Sequence, residues 1–183
     1  MTRESSDRLI ALPGGEKLSL IFSIDAVKPE LYASLRPGGD FAKILEEIEY
    51  LLLRRNKNTW VQIVKMNENF EHLVDYHHFF KKYTANIIIQ KYNRYQGRLP
   101  ERRLNPMQPF EKIDCWHLKR EVVVDVEGRV LVCKQDLGKE HVLGNLLEDS
   151  METIYQRGLP FLDKHIRGWD FCSGCDEYYT YNF

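Results

Sequence analysis

Four cysteines constrain this 183-residue chain more than anything else in it: Cys115, Cys133, Cys172 and Cys175, with none earlier. Cys172-Ser173-Gly174-Cys175 is a C-x2-C pair, the tight loop that lets two thiolates converge on one metal centre. Cys115 and Cys133 bracket a predicted β-hairpin, whose arms Glu121 to Val126 and Val130 to Val132 flank Glu127-Gly128. Two thiolates at the base of a hairpin can face the same point. Four ligands from two separate loops are what either a tetrahedral zinc or a cubane cluster requires. A fold meeting that demand must bring together residues far apart in the chain.

The compartment bears on the same question. The longest apolar stretches, Leu51-Leu52-Leu53 and Ile87-Ile88-Ile89, fall far short of a membrane span. The amino terminus, MTRESSDRLIALPGG, has no apolar core of the signal-peptide kind, so the expectation is a cytoplasmic protein. In a reducing compartment paired cysteines more often signal metal or redox chemistry than disulfides. Hydrophobic content of 43% is ordinary for a packed domain, and a formal net charge of −1 gives no bulk attraction to nucleic acid or anionic lipid.

The first half reads as α/β. Residues 18–24, 61–66 and 87–90 are short apolar runs with the profile of buried strands. Phe41 to Leu53 repeats apolar residues at helical spacing behind Gly38-Gly39-Asp40, and Glu71 to Tyr83 does so again. Strand, helix, strand, helix, strand is the signature of a parallel sheet with crossover helices. The character then changes: residues 93–112 hold three prolines and few apolar residues, as a linker would. The hairpin follows, and then a short helix predicted over Asp149 to Arg157, stopped by Gly158 and Pro160. The expected domains are therefore 1–92, a 93–112 linker and 113–183.

Read whole, the cysteine pattern resembles the SPASM and Twitch auxiliary-cluster domains of radical S-adenosylmethionine (SAM) enzymes. Val142-Leu143-Gly144-Asn145-Leu146 and Ser150-Met151-Glu152-Thr153-Ile154-Tyr155 look like that family's "LGN…sleeIw" segment. A full SPASM domain has seven cysteines and two clusters. Only DEYYTYNF follows Cys175, so the resemblance is to the one-cluster, Twitch-like form, a small α+β domain with a β-hairpin and a short helix. Upstream, Ile21-Phe22-Ser23-Ile24-Asp25, Tyr32, Leu35-Arg36 and Asp40-Phe41 look like the "iSiDg…y..lRg…f" segment in the second half of the radical SAM barrel.

The resemblance implies the second half of a partial (β/α) barrel followed by a domain holding one auxiliary [4Fe-4S] cluster on Cys115, Cys133, Cys172 and Cys175. The cluster would serve substrate binding or electron transfer in modification of a peptide or small molecule, and a zinc-stabilised binding module is the alternative. Ser23 looks like the family's cofactor-contacting serine, and Arg36 like the arginine that pairs with the carboxylate of S-adenosylmethionine. The C-x3-C-x2-C loop that starts radical chemistry is not in this sequence. S-adenosylmethionine is therefore expected only in a complete parent enzyme, and this chain alone is expected to be inactive. Its implied partner is an upstream barrel half, in the same natural chain or a separate one. An unpaired edge on the 18–24 strand also invites self-association.

Other signals have plainer readings. Gly14-Gly15-Glu16 is a polar turn, too close to the following strand for a cofactor loop. His72, His77 and His78 do not share the i, i+4 spacing of ligands and read as solvated helix histidines. Lys91, Arg94, Arg98, Arg102 and Arg103, interleaved with Tyr92 and Tyr95, read as a solvated basic linker rather than a nucleic-acid site. Tyr178, Tyr179, Tyr181 and Phe183 form an aromatic tail expected to cover the metal site.

Overall fold

The computed structural model describes residues 2–55, 57–104, 115–175 and 177. These fall into two compact units. One runs to Tyr92 and takes in Arg102–Leu104; the other holds Asn93–Glu101 and the described residues from Cys115 onward.

The first unit is built on a parallel sheet. Strands β1 (Leu20–Ser23), β2 (Thr59–Lys65) and β3 (Ile87–Lys91) lie in the order β1-β2-β3, both pairings parallel. Helices α2 (Pro29–Leu35) and α3 (Phe41–Arg54) carry the chain from β1 to β2, and α4 (Leu73–Phe80) carries it from β2 to β3. Parallel strands need such crossovers, because no tight turn can join them. Phe22, Val61 and Ile87 share a register row and pack with Ile48, Leu52, Tyr76 and Phe80 of the helices in one apolar core. Ile21 and Ser23 alternate with them on β1 and are exposed, Ile21 by 55%.

The helix starts follow local chemistry. Asp40 accepts a hydrogen bond from the Lys43 N–H at 3.0 Å and caps α3, while Pro29 supplies the preset φ at the first turn of α2. The second predicted helix is shorter than its apolar pattern, because Phe70–His72 form a 3-10 turn before α4. A helix the apolar periodicity did not mark, α1 (Arg3–Ala11), begins at a Thr2–Ser5 capping box. Its anchors are polar. Arg3 bonds Glu46 and Glu47, and the Ser6 hydroxyl donates to buried Glu47 at 2.6 Å.

The second unit is α+β. Helix α5 (Trp116–Arg120) precedes strands β4 (Val123–Val124), β5 (Arg129–Leu131) and β6 (Val142–Asn145), an antiparallel sheet in that order. Gly128, at φ +80°, makes the predicted hairpin turn. The third strand comes from the Leu143-Gly144-Asn145 segment, where Gly144 is required by close approach: a Cβ there would lie 2.6 Å from Asp149 Oδ2. The final helix corrects the sequence reading. It runs Met151–Ile166, straight through Gly158 and Pro160. Ser150 caps its start, and buried Ile154 and His165 anchor both halves, so packing overrides the local breakers.

Candidate metal centre

Each cysteine is placed by a different local device. Cys115 is the residue at which α5 starts. Cys133 opens a turn just after β5, in which the Asp136 N–H bonds the Cys133 carbonyl at 3.0 Å and the Gln135 N–H points at Cys133 Sγ at 3.5 Å. The Asp136 carboxylate fastens that turn by accepting the N–H groups of Glu140 and His141. Cys172 ends a 3-10 turn, Asp170–Cys172, and the Cys175 N–H returns to the Cys172 carbonyl at 3.3 Å.

All four thiols are buried, none more than 9% exposed, and none is in a disulfide. Cys115 and Cys175 pack together against Leu118. Burial pushes the Cys133 thiol up to about 11 and the Cys175 thiol up to about 12, with smaller contributions from the neighbouring cysteines. Cys115 is thus an electrostatic neighbour of both Cys133 and Cys175, and Cys172 is linked to Cys175 by the backbone of its turn. Among the described residues, no three His, Cys, Asp or Glu side chains stand close enough to hold an ion.

The side chains just beyond the cysteines were not marked by the spacing. His117 is almost fully buried, its Nδ1 2.7 Å from Glu121 Oε1 and its Nε2 3.5 Å from Glu177 Oε2. Neither contact meets the geometry of a ring N–H hydrogen bond. Lys134 Nζ approaches the same Glu177 oxygen at 3.3 Å. The available signal was position: 117, 134 and 177 each fall one or two residues after a cysteine. Nearer Cys172, His141 meets the edges of Trp169 and Phe171, which stack at 4.6 Å. The tyrosines and phenylalanine of the aromatic tail, 178–183, lie outside the described residues.

In the first unit, Ser23 ends β1 and Arg36 follows α2. Arg36 donates twice to Asp25 Oδ2, from Nε at 2.9 Å and from its terminal nitrogen at 2.6 Å, and that nitrogen also meets Ser23 Oγ at 3.3 Å. Asp25 is 4% exposed, and its other oxygen accepts the Val64 N–H at 3.0 Å. The guanidinium thus joins the two ends of one strand-end cluster. The basic linker residues are spent on carboxylates: Arg94 on Glu101, Arg98 on Glu140 and Arg102 on Glu68. His72 sits beside Asp75 and Lys28.

Comparison with known proteins meets this geometry at the second unit. Residues 115–176 match the family SPASM, an iron-sulfur cluster-binding domain. The match is consistent with the C-terminal SPASM domain of a radical SAM protein. The chain is also 40% identical over 126 residues to an uncharacterized protein of Treponema pallidum (strain Nichols), covering 68% of this chain and 35% of that protein. It thus spans about a third of the length of the curated relative it matches. No solved structure matches the chain. No helix among the described residues is long and apolar enough to cross a membrane.

The donor chemistry of the matched unit, rather than the spacing of its side chains, is what agrees with an iron–sulfur cluster-binding family. Four buried thiols outside any disulfide are donors of the kind such a cluster takes, and the main-chain N–H of Gln135 already points at a sulfur.

Proposed function

We propose that Cys115, Cys133, Cys172 and Cys175 hold one auxiliary [4Fe-4S] cluster of a radical SAM-type enzyme that modifies a peptide or small molecule. The observation that carries this reading is the burial of all four thiols inside a unit matched to a cluster-binding family. When bound, the cluster would supply an electron relay or an iron-rich surface for substrate. The chain's own residues do the rest. Cys115 and Cys133 come from the two sides of the hairpin, Cys172 and Cys175 from one turn, and Trp169 and Phe171, stacked on each other, lie just before and within that turn.

The first unit is, on this reading, the second half of a barrel. Its sheet is parallel, Ser23 and Arg36 meet at the carboxyl end of β1, and parallel strands present functional residues at that end. Ser23 and Arg36 would border the cofactor pocket, and the remaining wall would come from an upstream barrel half. The working location is the cytoplasm, where reduced thiols remain free to ligate.

Cysteine substitution with metal analysis tests the ligand set. Replacing Cys133 or Cys172 by Ala should leave a labile cluster after anaerobic reconstitution. Four intact irons in both variants would remove those residues from the set. A structural zinc on the same four thiols is the competing outcome, and it would show as stoichiometric zinc without iron.

A further inference from the structure

Three residues the ligand pattern leaves unused converge on one oxygen. Glu177 lies two residues after Cys175, His117 two after Cys115, and Lys134 one after Cys133. Glu177 Oε2 is 3.5 Å from His117 Nε2 and 3.3 Å from Lys134 Nζ. The Glu177 and His117 side chains are 8% and 2% exposed. Burying a carboxylate and an imidazole is costly unless they are paired, so their placement among the cysteine segments has a structural cause. The Glu177 main chain takes part as well, donating a hydrogen bond to Cys175.

We propose that the Glu177 carboxylate is a clasp that, through His117 and Lys134, ties three of the four cysteine-bearing segments together and positions their thiols for the cluster. The proposal rests on the cluster reading above. These are positioning residues: none is asked to ligate iron. The arrangement leaves the Cys172 turn to be drawn in through its link to Cys175. Because the clasp carries a buried negative charge and a one-third exposed positive one beside the thiols, it also sets the electrostatic field the cluster would feel.

The test uses the whole chain, reconstituted anaerobically with iron and sulfide, as wild type, Glu177→Gln, Lys134→Met and the double variant. Two quantities are read: the rate of cluster loss to a chelator, and the reduction potential. Loss should quicken by about tenfold in each single variant, a typical outer-shell effect. The double variant should lose its cluster no faster than the worse single one, because both break one device. The potential should rise in Glu177→Gln, which removes a negative charge, and fall in Lys134→Met, which removes a positive one. Opposite shifts are something a purely structural role would not produce. Lys134→Met keeps the test open if the buried Glu177→Gln substitution prevents folding, since Lys134 reaches solvent. Retention and potential equal to wild type, even with a lowered apo melting temperature, would overturn the clasp while leaving the cluster in place. A wild-type chain that takes up no iron would overturn the cluster reading and the clasp with it.

Discussion

Burial and hydrogen bonding set the chemistry of single residues here. Cys133 and Cys175 rise from the ordinary 9.0 to about 11 and about 12 because their thiolates would be desolvated. The unfolded chain ionises first, so the stability these thiols contribute is full below pH 9 and is lost as pH climbs towards 11–12. Apo protein should therefore show a melting temperature that falls above pH 9, with alkylation of both thiols slow at pH 8; a flat profile would contradict the burial. At Asp25, substitution by Ala strands Arg36 and the Val64 N–H. It should cost about 2–3 kcal/mol, read as a lowered denaturant midpoint. The cysteines stood out in the sequence because C-x2-C is a local pattern. Glu177 and Lys134 were not, because their meeting is made by the fold and ordinary charged residues carry no spacing signal.

Elements with an apolar period were legible, and those held by polar or nonlocal contacts were not. The three parallel strands and α3 stand within a few residues of their expected bounds, since Val61, Ile63 and Leu52 announce the core directly. Helix α1 escaped because its anchors are Arg3, Ser6 and Asp7 acting on α3. Helix α6 was read too short because Gly158 and Pro160 are breakers only where packing allows them to break. This contrast yields opposite glycine predictions. Gly158→Ala should stabilise by about 0.5–1 kcal/mol, because its new Cβ meets only Leu143 Cδ1 at an ordinary 3.5 Å. Gly144→Ala should cost about 1–3 kcal/mol, since the methyl lands on the Asp149–Arg157 pair that fastens the β6 turn to α6. Equal effects in thermal melts would show that the two glycines differ in name only.

At the scale of the molecule, a parallel sheet shares the chain with a cysteine-bearing unit similar to SPASM domains, and each unit leaves apolar surface uncovered. The β1 face exposes Ile21, and an open groove of about 400 Å³ runs between Val122, Leu143 and Tyr155 of the second unit. Self-association is the expected consequence. Light scattering on the purified chain should show dimers or larger species at high concentration, and a clean monomer would contradict it. The chain should also make no 5′-deoxyadenosine from S-adenosylmethionine and reductant, as no C-x3-C-x2-C loop is among its residues. The α/β character of the first unit was legible from its strand and helix periods. The central claim is that four buried thiols hold iron, and metal analysis after anaerobic reconstitution tests it most directly. The account predicts a brown protein with broad thiolate-to-iron absorption and close to four irons per chain, one at each cysteine corner. Stoichiometric zinc with no iron would contradict it.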